Sequence, residues 1–208
     1  QRREAAGEKR RNRKEKMSAN IIVRNAEDYQ VSVWSGGTTT QLYIYPEDGD
    51  SKSGEFQVRI SSATVEIAKS EFTNLPGVKR YLMIFDGHLD MIHGVNTRVE
   101  LEPYEVDVFD GGKPTVSYGK VTDFNLMLKN GADGKMEAAI IPAGESFCVE
   151  KEEKENLLCI YVREGVLEAE GKKAGQGELL LIREWKEALT LKNICEHTGK
   201  IGICRICV

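Results

Sequence analysis

The sequence has 208 residues and contains no apolar run that approaches the roughly 18 to 20 residues a helix needs to cross a bilayer. Its first segment is basic and polar, and no apolar stretch follows it, so the pattern of a secretory signal is missing. Both absences argue against a membrane protein and against a secreted protein. We therefore expect a cytoplasmic protein with no membrane partner.

Cysteine is present, but not as the even set that a disulfide scaffold requires. The five cysteines are Cys148, Cys159, Cys195, Cys204 and Cys207. An odd number of cysteines, in a chain without a signal peptide, predicts reduced thiols rather than a disulfide framework. This agrees with the cytoplasmic localisation that we expect.

Positive charge is concentrated at the N-terminus and is balanced or outweighed elsewhere. Residues 1–16 carry eight Lys or Arg against three Glu, which gives +5, so the remaining residues sum to −9 because the whole chain carries −4. An acidic body without a sustained basic face predicts no nucleic-acid partner. Residues 1–16 are predicted to be a disordered basic leader, or a segment upstream of a natural start at Met17, rather than part of the fold.

Long windows of helical periodicity are missing, and short strands take their place. Residues 56–65 are rich in β-branched side chains and alternate with a period of two, and the apolar run 81–85 stops at Asp86-Gly87, which is a hairpin signal. Residues 88–93 then read as the returning strand. Further strands are predicted at 103–109, 116–118, 124–128 and 138–141. This spacing of short strands and turns predicts an all-β sandwich or barrel.

An internal repeat sharpens this prediction. Residues 82–91 read LMIFDGHLDM and residues 160–169 read IYVREGVLEA, so that aligning Gly87 with Gly165 pairs strand with strand and turn with turn. The following strand also recurs, because residues 103–108 correspond to residues 177–182. We therefore predict two copies of one β-barrel unit, with the first barrel at 17–130 and the second at 131–208, packed on the first.

Polar side chains share one face on two of the predicted strands. Arg59 and Ser61 alternate with apolar residues, and so do Asp123 and Asn125. If these faces point outwards, they are ordinary solvated surface. If they point into a barrel, the guanidinium of Arg59 offers a planar fork for a carboxylate, and the Asn125 amide offers a donor and an acceptor.

The stretch WSGGTTT, residues 34–40, is a second candidate for ligand contact. Gly36 and Gly37 let the backbone approach a ligand closely, Thr38 adds a hydroxyl, and Trp34 stands beside them. The alternative is a tight turn with Trp34 packed as a lid on the core. The stretch is not a phosphate-binding loop, because the G-x-x-x-x-G-K-[ST] spacing is missing.

Metal ligands are scarce. The chain has three histidines, and no two of them are spaced to share a strand face, so we predict no metal and no other cofactor in either barrel. A zinc site made of Cys195, His197, Cys204 and Cys207 is left open, with buried structural thiols as the favoured interpretation. No G-x-S-x-G motif is present either, and we identify no catalytic residues.

Several motifs resemble the HutD/Ves family in the same order. Residues 34–39, WSGGTT, are similar to its W-x-G-G-x-T signature, and residues 59–65, RISSATV, are similar to its R-x-S-x-A-x-V strand. Residues 72–87, FTNLPGVKRYLMIFDG, resemble a further block, and DFNLM, residues 123–127, is the most specific match. The resemblance covers residues 22–129 well and becomes diffuse beyond them.

The resemblance implies a cytoplasmic bicupin, that is, two cupin barrels of the RmlC-like jelly-roll type in one chain, without the usual metal ligands. It also implies a link to histidine utilisation through small-molecule binding or regulation. The function we expect is metal-independent binding of a small carboxylated metabolite. The alternatives are a metal-free isomerase or hydrolase that uses Asp123 or His88 as acid or base, and a scaffold for another protein; a homodimer is left open.

Overall fold

The computed structural model describes residues 19–208, and nearly every regular element in this part of the chain is a β-strand. The strands are β1 (Asn20–Arg24), β2 (Gln30–Trp34), β3 (Gly37–Tyr45), β4 (Val58–Val65), β5 (Lys69–Glu71), β6 (Lys79–Asp86), β7 (Leu89–His93), β8 (Thr97–Leu101), β9 (Val106–Asp110), β10 (Thr115–Tyr118), β11 (Val121–Leu128), β12 (Asp133–Ile141), β13 (Ser146–Glu150), β14 (Leu157–Glu164), β15 (Val166–Ala169), β16 (Lys172–Gly175), β17 (Leu179–Arg183), β18 (Ala188–Asn193) and β19 (Gly199–Cys207). The all-β fold class predicted from the sequence is confirmed. The expectation for residues 1–16 lies outside the described residues.

Helical structure is confined to one short turn among residues 19–208. This 3-10 turn, Ala26–Asp28, begins with a capping box. The Asn25 side chain accepts a hydrogen bond from the backbone N–H of Glu27, and the Asp28 side chain accepts one from the backbone N–H of Asn25. No helix in the described part of the chain has the length and apolar content that crossing a membrane requires.

The strands form four antiparallel sheets. The first half of the chain builds a six-stranded sheet, ordered β2-β3-β4-β11-β6-β9, and a four-stranded sheet, ordered β5-β10-β7-β8. These two sheets share a core of side chains from both, including Leu82, Ile84, Leu89 and Met91. We call them the first sheet pair.

The second half builds a five-stranded sheet, ordered β1-β17-β14-β19-β12, and a four-stranded sheet, ordered β13-β18-β15-β16. Their common apolar core includes Leu158, Ile160 and Leu167. We call them the second sheet pair. A further core joins the two pairs, because the outer faces of the six-stranded and five-stranded sheets pack together through residues such as Phe124 and Cys204.

The internal repeat reappears in the sheet order. The order β4-β11-β6-β9 in the first pair corresponds to β12-β19-β14-β17 in the second, and β5-β10-β7-β8 corresponds to β13-β18-β15-β16. Gly87 lies between β6 and β7, and Gly165 lies between the corresponding strands β14 and β15. Both glycines have positive φ, 84° and 95°, which a residue with a Cβ rarely adopts.

The predicted hairpin at Asp86-Gly87 is wrong. The strand β6 pairs with β9 and β11, whereas β7 pairs with β8 and β10 in the opposite sheet. Gly87 therefore marks a corner at which the chain leaves one sheet and enters the facing one. The Asp-Gly pair is consistent with the positive φ of Gly87, but this local backbone geometry occurs at a corner between two sheets as well as in a hairpin turn.

The predicted division of the chain at residue 130 does not hold for its first strand. β1 lies in the segment assigned to the first barrel, yet it pairs along its length with β17, from Asn20 opposite Arg183 to Arg24 opposite Leu179. Ile21 and Val23 of β1 pack into the core of the second sheet pair. This strand was not predicted from the sequence, and the short apolar run of NIIVR carries no information about which sheet it joins.

Candidate functional site

A cavity of about 340 Å³ opens into the first sheet pair. Its walls come from the six-stranded sheet and from β5 with the segment that follows it. The lining residues are Ser32, Trp34, Thr39, Ser51, Phe56, Arg59, Ser61, Ala63, Val65, Ser70, Glu71, Phe72, Thr73, Leu75, Arg80, Asp123, Asn125 and Met127. Five of the eight residues proposed from the sequence, Trp34, Arg59, Ser61, Asp123 and Asn125, therefore meet at one place.

Arg59 lies on β4, half-buried, with its side chain held by neighbours on the same sheet. Its Nε donates to Gln41 Oε1 at 2.9 Å, and its Nη1 reaches Ser61 Oγ at 3.5 Å and Met127 Sδ at 3.8 Å. Burial lowers the pKa of Arg59, and the nearby Asp123 raises it in part. The guanidinium remains charged at neutral pH, because its ordinary pKa is so high.

Arg80 is a second arginine in the cavity wall, and it was not among the residues proposed from the sequence. It lies on β6 and is 6% exposed, with its guanidinium carbon 4.7 Å from the centre of the Phe72 ring and 5.3 Å from that of Phe109. Its Nε is enclosed without a hydrogen-bond partner among residues 19–208, and it forms no ion pair with a residue in that range. Burial lowers the pKa of Arg80 to about 10, so a desolvated positive charge faces the cavity.

Asp123 brings a carboxyl group to the same wall. It lies on β11 and is buried, and its Oδ1 accepts a hydrogen bond from the backbone N–H of Ala63 at 3.0 Å. Burial raises the pKa of Asp123 to about 7, while the Ala63 N–H and the charges of Arg80 and Arg59 act in the opposite direction. Neither arginine forms a direct ion pair with this carboxyl group.

Asn125 follows two residues later on the same face of β11, opposite Ser61 on β4. It is 4% exposed, and its Oδ1 has no hydrogen-bond partner among the described residues. A buried amide without partners is costly, typically about 1–3 kcal/mol, unless something else supplies the missing bond. The unpaired amide and the unpaired Arg80 are therefore the two features that point to a missing ligand.

The glycine-rich stretch contributes differently from the prediction. Trp34 lines the cavity, but Gly36, Gly37 and Thr38 do not; Thr39 does. A Cβ on Gly36 would lie 2.2 Å from the Trp34 ring, and one on Gly37 would lie 1.9 Å from the carbonyl oxygen of Thr64. The glycines are thus explained by the tight β2–β3 turn and by close packing, which was the alternative interpretation.

The second sheet pair has no equivalent polar wall. When the two halves of the chain are aligned on Gly87 and Gly165, Arg80 corresponds to Leu158, which is fully buried in an apolar core. Strand pairing extends the comparison. Asn125 lies opposite Leu82 and Ile203 lies opposite the corresponding Ile160, so Asn125 corresponds to Ile203.

The same strand pairing shows that Asp123 corresponds to Ile201 in the second sheet pair. Asp123 lies opposite Ile84, and Ile201 lies opposite the corresponding Val162. Ile201 is fully buried in the core of the second sheet pair. In the second sheet pair, aliphatic side chains therefore fill the three positions that carry Arg80, Asp123 and Asn125 in the first.

The cavity does not fit a resident metal ion. Among the described residues that line it there is no histidine or cysteine, and the carboxyl groups of Asp123 and Glu71 share the wall with two arginines. A divalent cation needs several converging donors, and two guanidinium groups would repel it. Within residues 19–208, the only group of three or more potential ligands that lie together is His88, Asp90 and Glu100, outside the cavity.

The cysteine cluster left open in the sequence is not assembled. Cys204 is fully buried between the two sheet pairs beside Cys159, its partner in register across β14 and β19. Cys195 and Cys207 are only partly buried, and they are not grouped with His197 in the described structure. His88 is likewise remote from Asp123: it is exposed, and its Nδ1 lies 2.6 Å from Glu102 Oε1 at the surface.

Comparison with known families finds one match, to a family described as HutD, over residues 26–197. That range covers most of the described chain and every polar residue of the cavity wall. No match to a curated protein sequence was found.

Solved structures with a similar fold include a conserved protein of unknown function from Pseudomonas aeruginosa PAO1, with a TM-score of 0.74, 15% identity, and coverage of 90% of this chain and 99% of that one. HutD from Pseudomonas fluorescens SBW25 aligns with a TM-score of 0.69 and 17% identity over 90% and 98% of the two chains. The pirin YhhW of Escherichia coli, in complex with nickel(II), aligns with a TM-score of 0.67 and 10% identity over 89% and 98%. At these identities the comparison establishes a cupin-like fold, and no residue roles are transferred.

Proposed function

The chain belongs to the HutD family, and we propose that it binds a small carboxylated metabolite in the cavity of the first sheet pair, without a metal, in a regulatory or sensing role. Intermediates of histidine breakdown are the ligands to test first, because the family resemblance implies a link to histidine utilisation. The volume of the cavity, about 340 Å³, suits a small metabolite.

The observation that carries this proposal is the buried, unpaired guanidinium of Arg80. Burying an unpaired charge costs several kcal/mol, and this chain accepts that cost in one sheet pair while filling the corresponding position of the other with Leu158. Arg59 adds a second positive charge to the same cavity. An anion with oxygen acceptors is the chemical partner that both groups lack, and a carboxylate matches the planar fork of a guanidinium.

A thermal-shift screen followed by calorimetry tests the proposal. The screen covers histidine-pathway acids, including formylglutamate, together with short carboxylates and their uncharged amides. We expect carboxylates to raise the melting temperature and the amides to leave it unchanged. Arg80→Met should weaken binding by about one to two decades, because a charge-assisted hydrogen bond contributes about 1.5–3 kcal/mol.

Arg98→Met is the matched control for that variant. Arg98 lies on β8 with its side chain 64% exposed and pairs with Asp90 at the surface, so its removal should leave ligand binding unchanged. Equal responses of the two variants, or stabilisation by the amides as well as the acids, would contradict the proposal.

A second candidate function rests on Asp123. A carboxyl group whose pKa is raised to about 7 by burial has the properties of a general acid or base at neutral pH, and it faces a cavity of suitable size. On this candidate the protein is a metal-free isomerase or hydrolase of a small acid. Turnover of formylglutamate or a related acid, lost in Asp123→Asn with binding retained, would support it over the binding function.

A further inference from the structure

Two carboxyl groups would share one desolvated space if the proposed ligand entered the cavity. Asp123 already occupies the wall, and the proposed function, on which this inference rests, brings a second carboxylate to Arg80 and Arg59. Like charges close together in a low-dielectric site do not both ionise readily, and one of the two groups keeps a proton. The free protein therefore differs from the complex in its protonation.

The hydrogen bonds of Asp123 show where that proton would go. Oδ1 is already held by the Ala63 N–H at 3.0 Å, whereas Oδ2 receives no hydrogen bond from a residue in 19–208. Neither guanidinium is in ion-pair contact with the carboxyl group, so the two arginines remain available to an incoming anion. Oδ2 is thus free to carry a proton and to donate it in a hydrogen bond.

The other charged groups near Asp123 are few. The ionisable side chains that line the same cavity are Arg59 on β4, Arg80 on β6 and Glu71 on β5, and Glu71 is exposed to solvent. Behind them, His93 on β7 packs on the Phe109 ring at 4.4 Å and is bonded to Thr115 and Asp107. Asp123 is therefore the only buried carboxyl group in the lining.

We propose that Asp123 takes up one proton from the solution when the cavity binds a carboxylate, and that its Oδ2–H then donates a hydrogen bond to the bound anion. The only covalent change is the O–H bond formed on Asp123, and the buffer supplies the proton. Because binding and protonation are linked, each favours the other by the same factor. Burial raises the pKa of Asp123 to about 7 even against the Ala63 N–H and the charges of Arg80 and Arg59, so the proton is within reach near neutral pH.

Calorimetry with acetate as the probe tests this. Free acetate stays ionised above pH 7, so any proton taken up on binding is supplied by the buffer and is gained by the complex. Titrations at pH 8 in triethanolamine and in Tris, two amine buffers that differ in ionisation enthalpy and are not oxyanions, give the number of protons taken up per acetate bound. We expect about one proton at pH 8 and close to none at pH 5.5, and an affinity that falls about tenfold per pH unit above pH 8.

Two carboxyl variants are compared with the wild type. Asp123→Asn keeps an acceptor for the Ala63 N–H but cannot titrate, so it should take up no proton and bind acetate with the same affinity at pH 5.5 and pH 8. Glu153→Gln, at an exposed position outside the cavity lining, should behave as the wild type. The ¹³C NMR shift of the Asp123 side-chain carboxyl carbon, Cγ, reports the protonation of this group in the wild type with and without acetate, and it does not depend on either variant.

The outcomes separate this inference from the proposed function. Acetate binding at pH 8 without proton uptake, or uptake that persists in Asp123→Asn, would overturn the inference and leave the binding function standing. If the protein bound no acetate at any pH, this would count against the binding function itself and therefore against the inference that rests on it.

Discussion

Within the described part of the chain, residues 19–208, the Asp123 carboxyl group accepts one hydrogen bond, from the backbone N–H of Ala63 on the neighbouring strand β4 at 3.0 Å. That one bond does not offset burial, which raises the pKa of Asp123 from 3.8 to about 7. The protonated form is favoured in the folded protein relative to the unfolded chain. The contribution of this group to stability is therefore full below about pH 4 and is lost as the pH rises through about 7.

Asp123→Asn should consequently gain stability relative to the wild type as the pH increases. The difference in free energy of unfolding between the two proteins is expected to grow from pH 4 to about pH 7 and then level off, by roughly 4 kcal/mol in all. Urea denaturation of both proteins at pH 4.5, 6 and 8 measures it. A difference that shrinks as the pH rises would mean that Asp123 is stabilised as a carboxylate.

Arg80 and Arg205 offer a comparison of two buried arginines with opposite surroundings. Arg80 has no ion pair with any residue in 19–208, whereas Arg205 donates to Glu137 at 2.6 Å and to Glu155 at 3.1 Å. Arg80→Met should leave the free energy of unfolding unchanged or raise it by up to about 2 kcal/mol, because an unpaired buried charge is removed. Arg205→Met should lower it by about 3–5 kcal/mol, since two carboxylates lose their partner.

Chemical denaturation of these two variants, without ligand, checks the comparison. Equal losses of stability would contradict it, because they would mean that Arg80 is held by the fold as firmly as Arg205. An Arg80→Met variant that is as stable as the wild type but no longer binds carboxylates would show that Arg80 contributes to ligand binding and not to the stability of the fold.

Gly202 determines how closely the two sheet pairs approach. A Cβ at this position of β19 would lie 2.7 Å from the fully buried Phe124 ring, which packs in a triangle with Phe85 and Tyr161, its centroid 5.5 Å from each and theirs 5.8 Å apart. Because the ring has no room to move, Gly202→Ala should lower the free energy of unfolding by about 1–3 kcal/mol. Gly175→Ala is the control: its Cβ would meet nothing closer than 3.8 Å, so we expect a change within about 0.5 kcal/mol.

Metal content gives a further test. We expect no stoichiometric metal in the purified protein, because the cavity offers two arginines and no histidine, and chelators should change neither stability nor carboxylate binding. Elemental analysis checks this. About one equivalent of iron, manganese or nickel would contradict the binding function, and zinc released by thiol modification would indicate a site at Cys195, His197, Cys204 and Cys207.

Thiol reactivity follows from burial. Cys148 is exposed, whereas Cys159 and Cys204 are fully buried and burial raises the pKa of both thiols. In the native protein a thiol reagent should therefore label Cys148 and leave Cys159 and Cys204 unlabelled until the protein unfolds. Mass spectrometry of peptides after brief labelling identifies the sites. Rapid labelling of Cys159 or Cys204 in the native state would mean that the core between the sheet pairs opens.

Alternation made part of the cavity predictable. On β4, Val58 and Ile60 pack in the core while Arg59 and Ser61 line the cavity, so a period of two identified the face correctly. Arg80 escaped this reasoning because it is the second residue of a strand that is buried on both faces and has no alternation. The signal was nevertheless present, since Arg80 matches the arginine of a HutD/Ves motif and precedes an apolar run.

Pairing between distant strands is the part of the fold that local sequence does not encode. Asp86-Gly87 specifies a sharp change of direction, but the hydrogen bonds of β6 and β7 are made to strands further along the chain. Whether such a turn closes a hairpin or carries the chain to a facing sheet depends on which partners compete for each edge. That competition is resolved by the whole apolar core and not by the residues of the turn.

During synthesis, β1 leaves the ribosome long before its partner exists. Asn20 pairs with Arg183, so the apolar side chains of Ile21 and Val23 have no sheet to pack into until almost the whole chain has been synthesised. The first sheet pair has all of its own strands by Leu128, but the five-stranded sheet gains its β1 edge only after β17. β1 therefore completes its sheet late, and cutting the chain after Leu128 would leave the first half with an edge strand that belongs to the sheet of the second half.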